Sequence, residues 1–291
     1  MTFAVILAGG AFMSGVVLVT LQHPHVSKPA AILTTQPKSF TLSPNTLQAD
    51  AAAVYDLTTG RVLFAKNAEQ SLPLASLTKL MTALVVLDHT LPGTKVVITA
   101  EDLAPEGDWG LRVGDTLSVP TLLKLSLVAS SNDAITAAAR SLGSNYLAQM
   151  NLSAQKLGLT HTRFLDPTGL DIDEKTAGAY GSAEDVARLV GYFYKRYPQY
   201  MTLSSQRSIS VSADGRELTA SATAAPILAM PGLIGAKTGY TILAGGNLVV
   251  LFDLDIGHPV AVVVLGSTQQ SRFSDVETLI RTTREVNTKK I

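Results

Sequence analysis

The longest stretch without a charged residue lies near the start of the chain, at residues 3–20, FAVILAGGAFMSGVVLVT. Eighteen apolar or small residues reach the lower limit for a bilayer-spanning helix. A secretory apolar core is usually shorter and follows a basic flank. Here no Lys or Arg precedes the run, and no A-x-A site closes it before LQHPHVSKPA. The pattern predicts an uncleaved N-terminal anchor over residues 1–20, with a cleaved signal peptide as the alternative. The missing basic flank suggests a natural start further upstream. Either reading sends the rest of the chain out of the cytoplasm. A buried core helix fits less well, because residues 21–47 are rich in Pro, Ser, Thr, His and Gln and read as a linker.

From residue 48 onward the pattern becomes one of short alternating and periodic segments, predicting one domain over 48–291. Two strand-like runs within 51–69 flank TTG, a hairpin signal. LPLASLTKLMTALVVLD (72–88) has the spacing of a buried helix, with Lys79 set among its leucines. KVVITAEDL is a short strand entering polar sequence. Residues 114–143 read as helix, polar break and helix, with Pro120 suited to a first helical turn. Helices are predicted over 145–158 and 182–196, with the turn-rich FLDPTGLD between them. RSISVSA is a strand. GAKTGYT leads into GGNLVVLFDLD, which turns through IGH into HPVAVVVLGST. SDVETLIRTTREV closes the chain as an amphipathic helix with Ser274 or Asp275 near its N-cap. Strands, then helices, then strands and a final helix predict an α/β (α+β) fold: an antiparallel sheet with helices packed on it and a helical insertion in the middle.

Composition narrows the function. Lys+Arg and Asp+Glu number 23 each, so no basic excess points to nucleic acid. The absence of cysteine rules out disulfides, a cysteine nucleophile and a thiolate metal site. The chain has no G-x-S-x-G, and its five histidines (23, 25, 89, 161 and 258) do not cluster, which argues against a hydrolase triad of that type.

Three short patterns could carry chemistry. Ser76 and Lys79, three residues apart, share a helix face. A lysine whose pKa is lowered by burial can take the proton of a nearby serine. Taken alone, this pair fits equally simple structural roles, a snorkelling lysine and a capping serine, and a second S-x-x-K occurs at Ser153 and Lys156. SSND (130–133) on its own reads as helix caps; its functional reading makes Ser130 a proton relay and Asn132 an amide clamp. Lys237, Thr238 and Gly239 offer a cation, a hydroxyl and a bare backbone at a strand head, suited to receiving a carboxylate, or simply a solvated strand end. Only one choice of residues gives the order S-x-x-K, S-x-N, K-T-G: 76–79, 130–132 and 237–239.

That ordered triplet, with YDLTTGRVLFAKN, LASLTKLMTAL, LLKLSLVASSNDA, FLDPTGLD, SAEDVARL and AGGNLVV around it, resembles the low-molecular-mass penicillin-binding proteins, the serine D-alanyl-D-alanine carboxypeptidases. The resemblance covers about residues 50–285 and implies a β-lactamase/transpeptidase-like fold. It implies Ser76 as nucleophile, Lys79 as general base and Ser130 as relay to the leaving D-alanine. Asn132 would bind the substrate amide. Lys237 and Thr238 would hold the terminal carboxylate, with Arg272 behind it and Gly239 beside them in the substrate-binding strand, and the Ser76 and Tyr240 N–H groups would form the oxyanion hole. The implied partners are peptidoglycan peptides ending in D-Ala-D-Ala and β-lactams as covalent inhibitors; no metal or organic cofactor is implied. Ser131 stands where the family often has Gly, and SATAAPILAMPG lacks the asparagines often found before K-T-G. The sequence stops after its last helix, so any membrane attachment is expected from the N-terminal segment.

Rival readings remain at this level. A class A β-lactamase shares the motifs but needs a glutamate in E-x-x-x-N; Glu174 is followed by Gly178 and Glu184 by Arg188. A D,D-endopeptidase differs only in whether a cross-linked peptide enters. A non-catalytic β-lactam or cell-wall binder would have no need of the whole Ser76, Lys79, Ser130 and Lys237 set.

Overall fold

The computed structural model describes residues 37–43, 45–107 and 110–288. The expected anchor, residues 3–20, lies outside them. Among the described residues no helix is long and apolar enough to cross a membrane.

Among the described residues the first elements are the predicted hairpin, β1 (Ala51–Asp56) and β2 (Arg61–Lys66), then the two-residue strand β3 (Leu72–Pro73). A 3-10 turn (Ala75–Thr78) leads into α1 (Lys79–His89). The short strands β4 (Lys95–Val97) and β5 (Thr116–Ser118) precede three helices, α2 (Val119–Val128), α3 (Asn132–Arg140) and α4 (Tyr146–Lys156). Next come β6 (Arg163–Phe164), β7 (Ala179–Gly181), α5 (Ala183–Arg196) and α6 (Pro198–Leu203). A hairpin, β8 (Ser208–Ala213) and β9 (Arg216–Ser221), stands apart from the main sheet. The strands β10 (Leu233–Thr241), β11 (Gly245–Asp253) and β12 (Pro259–Ser267) complete that sheet, and α7 (Ser271–Thr288) ends the description.

The main sheet has the order β10-β11-β12-β1-β2, with every neighbouring pair antiparallel. Its middle strand, PVAVVVLGS, is an unbroken apolar run because both faces are covered. Val260, Val262 and Val264 meet Val276, Leu279 and Ile280 of α7. Ala261, Val263 and Leu265 belong to the opposite core, with α5 and α1. Each fully buried valine contributes about 1.5–3 kcal/mol. The helical insertion α2–α4 packs on α1 and carries the S-x-N motif at the α2–α3 junction.

Two local expectations are corrected. Composition reads residues 21–47 as a linker, but the described part of that stretch is seated on the sheet. Phe40 stacks on Phe64 at 5.3 Å, its N–H donates to the Leu63 carbonyl, and Leu47 is buried. Phe40, Leu42 and Leu47 pack with the core under the sheet, although the segment otherwise looks polar. The last helix starts at Ser271, ahead of the expected Ser274 or Asp275, because the Thr268 hydroxyl takes the Ser271 N–H (2.9 Å). Asp275 is instead buried, accepting from Gln48 N, Ala49 N and Ser267 Oγ, and so ties the chain entering β1 to α7.

Candidate active site

Ala75, at φ +48°, turns the chain sharply out of β3 into the 3-10 turn. Ser76 thus lies in the first turn, where backbone N–H groups have no helical partner of their own. Lys79 opens α1 and is fully buried, so it does not snorkel. Its Nζ donates to Ser76 Oγ (2.7 Å), Asn132 Oδ1 (2.7 Å) and the Thr168 carbonyl (2.9 Å). None of these partners is charged. Burial therefore lowers the Lys79 pKa to about 7, against the pull of the Asp166 carboxylate in the other direction. Near neutral pH much of Lys79 is a free amine with two N–H groups and one lone pair. Asn132 Oδ1 and the Thr168 carbonyl can only accept, so they take both N–H groups. The lone pair is left for the Ser76 hydroxyl.

The S-x-N motif divides its labour between capping and the site. Ser131 is the N-cap of α3, its side chain accepting from Ala134 N at 3.1 Å, which explains a serine where the family often has glycine. Ser130 is held at φ +61° and its Oγ accepts from Lys237 Nζ (2.7 Å). A non-glycine residue in that conformation carries a strain of order 1–3 kcal/mol, maintained by its surroundings. Asn132 bridges inward and outward: Oδ1 accepts from Lys79, and Nδ2 donates to the Glu106 carbonyl, which fixes the orientation of the amide.

The strand β10 is a sheet edge and lies directly on the 3-10 turn. A Cβ on Gly239 would fall 2.9 Å from the Leu74 carbonyl and 3.2 Å from Ser76 N, so glycine is required for that approach. Lys237 is buried, and its Nζ also donates to the Thr238 carbonyl (2.9 Å). Burial, then the charges of Lys79 and Arg272, push its pKa well down. Arg272 donates through Nη1 to the Gly239 carbonyl (2.7 Å), which braces the strand from behind; its buried Nε has no hydrogen-bond partner among the described residues. Tyr240 stands half exposed one residue beyond Gly239. Asn247 joins the pieces, with Nδ2 on the Pro73 carbonyl and Oδ1 on Gly266 N, both at 2.9 Å.

The fold therefore brings the three motifs into one cleft. Lys79, Lys237 and Arg272 gather there, and Asp166 is the carboxylate that acts on Lys79, an arrangement suited to an anionic substrate. The second S-x-x-K stays outside it: Lys156 is exposed at the end of α4. Glu184, a candidate weighed for a β-lactamase role, is ion-paired with Arg188 at 2.5 Å. Two participants escaped the motif reading. The Thr168 carbonyl belongs to the backbone and leaves no residue-type signal. Thr223, in the segment noted for lacking asparagines, accepts a bond from Thr238 Oγ1 (2.6 Å) and donates its N–H to the Val128 carbonyl, tying K-T-G to the S-x-N loop.

Comparison with known proteins agrees with this geometry. A family model described as D-alanyl-D-alanine carboxypeptidase, peptidase S11, matches residues 38–269. A D-alanyl-D-alanine endopeptidase of Pseudomonas aeruginosa is 37% identical over 150 residues, 50% of this chain and 47% of that protein. The D-alanyl-D-alanine carboxypeptidase DacF of Bacillus subtilis is 30% identical over 247 residues, 80% of this chain and 61% of that one. The matches thus span about half to three fifths of these relatives' lengths. Penicillin-binding protein D2 of Listeria monocytogenes, solved in its cefotaxime-bound form, superposes with a TM-score of 0.73 at 29% identity, covering 84% of this chain and 99% of that one. With its motifs gathered in one cleft and the family model matched from residue 38 to residue 269, the chain belongs to the D-alanyl-D-alanine carboxypeptidase family, peptidase S11.

Proposed function

We propose that the protein is a serine D,D-carboxypeptidase that removes the terminal D-alanine from peptidoglycan stem peptides through an acyl-enzyme on Ser76. The observation that carries this reading is the Lys79 Nζ contact at 2.7 Å from Ser76 Oγ, with both amine N–H groups committed elsewhere. Lys79 takes the Ser76 proton as Oγ attacks the carbonyl of the D-Ala-D-Ala bond. The oxyanion forms against the Ser76 and Tyr240 N–H groups, where the helix start favours negative charge. As the intermediate collapses, the C–N bond breaks and the proton held by Lys79 passes through the Ser130 hydroxyl to the departing D-alanine amine, which leaves Ser130 a hydroxyl and Lys79 a neutral amine. Water then cleaves the ester, with Lys79 again as base.

Substrate placement follows from the remaining donors. A terminal carboxylate meets Lys237 and the Thr238 hydroxyl, restores the charge that burial suppresses on Lys237, and has Arg272 behind the strand. The substrate peptide extends β10 as an added strand. Asn132 keeps one Nδ2 proton for a substrate carbonyl after its bond to Glu106. A β-lactam presents a carboxylate and a strained amide to the same groups and acylates Ser76. A peptidoglycan substrate calls for a domain outside the cytoplasm, and the charge-free composition of residues 3–20 supports anchoring or export through that segment.

The experiment is incubation with a fluorescent penicillin, followed by intact mass and by D-alanine release from a D-Ala-D-Ala peptide. A stable adduct absent in Ser76→Ala, together with D-alanine release, is the expected result. Rapid penicillin turnover would instead indicate a β-lactamase. A second reading, D,D-endopeptidase, is favoured by the Pseudomonas aeruginosa relative's name. Cleavage of a cross-linked muropeptide dimer without D-alanine release would select it.

A further inference from the structure

FLDPTGLD contains none of the three motifs, yet it supplies one of the partners of Lys79. Asp166 organises that turn. Its Oδ1 accepts from Thr168 N (2.7 Å), from Gly169 N (2.9 Å) and from the Thr168 hydroxyl. The turn is then fastened to α1: Thr82 Oγ1 donates to the Pro167 carbonyl at 2.7 Å. Gly169, at φ +83°, allows no side chain here, since a Cβ would lie 2.0 Å from the Ala75 carbonyl. The outcome is a main-chain carbonyl, that of Thr168, aimed at Lys79 Nζ. We propose that Asp166 is a positioning residue for acylation: it folds the turn that presents the Thr168 carbonyl to Lys79 and so aims the amine lone pair at Ser76. The proposal rests on the reading of Ser76 and Lys79 given above.

Few charged groups face Lys79. The turn brings Asp166, which favours the ammonium form. The strand β10 brings Lys237, itself beside Arg272 of α7. From α3 comes the neutral amide of Asn132, with Asp133 next in the chain, and the loop bearing Glu106 meets that amide through its main-chain carbonyl. The helix α4 contributes Tyr146, whose phenol is pushed up by burial and by Asp166. Asp166 is thus both the organiser of the turn and the anion that opposes formation of the free amine.

The test measures the rate of Ser76 acylation by a fluorescent penicillin between about pH 5 and 9, a window that brackets a base titrating near neutrality. It uses the wild type, Asp166→Asn and Thr168→Val, with a thermal melt of each. Asp166→Asn keeps an acceptor oxygen for the turn and removes the charge. Its acid limb moves to lower pH, and its plateau falls about 3- to 10-fold, as fits loss of a charge-assisted bond. Thr168→Val keeps the charge and loosens the turn, so its plateau falls while the limb stays in place. A limb that does not move in folded Asp166→Asn, or a wild-type rate in it, overturns the proposal. If Asp166→Asn gives no cooperative melt, Thr168→Val decides: a lowered plateau supports the proposal, and a wild-type profile overturns it. A wild type that never acylates defeats the reading of Ser76 instead.

Discussion

Arg140, at the end of α3, meets the buried carboxylate of Asp102 through two bonds, Nε to Oδ1 at 2.9 Å and Nη2 to Oδ2 at 2.8 Å. Lys79, at the start of α1, is buried more completely and meets three neutral oxygens. Burial opposes the charge on Asp102, but the bonds from Arg140 and Thr99 outweigh it and lower the Asp102 pKa. Burial also opposes the charge on Lys79, and there no opposite charge outweighs it, so the pKa falls to about 7. The same desolvation yields a structural clamp when the counter-ion is bonded and a base when it is not. Their linkage to stability differs accordingly. The Asp102 contribution is present above its unfolded value and is lost as pH falls through the depressed folded value. For Lys79 the unfolded chain binds more protons between about pH 7 and 10.5, so its contribution to stability rises with pH across that window.

Removing the uncompensated cation has the largest expected effect. Lys79→Met lowers the rate of Ser76 acylation about 10²- to 10⁴-fold, the usual share of a general base. Denaturant melts of wild type and variant, compared at rising pH, shift in favour of the wild type between about pH 7 and 10.5. A parallel course of the two would break the contrast with Asp102. Breaking the clamp acts on stability instead. Arg140→Leu strands Asp102 and costs about 2 kcal/mol, below the roughly 3–5 kcal/mol of a fully buried pair because Arg140 itself is partly exposed. Acylation per folded molecule stays at the wild-type rate. A drop in that rate without a drop in stability would show the clamp to be part of the chemistry. The smallest effect is expected at the neutral tie: Thr223→Val raises KM for a D-Ala-D-Ala peptide about 3-fold and leaves kcat close to wild type, as for one lost neutral hydrogen bond.

Much of this was written in the residue pattern. The apolar run HPVAVVVLGST, reached through the IGH turn, announced the strand β12, and TTG announced the β1–β2 hairpin. The ordered S-x-x-K, S-x-N and K-T-G patterns located the cleft because side-chain chemistry at fixed spacing survives in sequence. What stayed hidden depends on backbone and on tertiary company. Ser130, Ser131 and Asn132 all look like caps, and only the structure assigns the cap to Ser131. Asp275 resembles a cap and is a buried tie to the chain before β1, a partnership 226 residues away in sequence. The hairpin partner β9, RELTAS, escaped because it alternates charged and small residues without a strong apolar face. The Thr168 carbonyl could be read only as a turn, since any residue type supplies a carbonyl.

The most direct measurement is the rate at which penicillin acylates Ser76 as a function of pH, read by intact mass on the wild-type protein. The account predicts a rate that climbs with pH through a single ionisation near 7, as Lys79 loses its proton, and no adduct in Ser76→Ala. A rate that is flat from about pH 5 to 9, across the neutral window where such a base must titrate, would contradict a buried Lys79 amine as the base that activates Ser76.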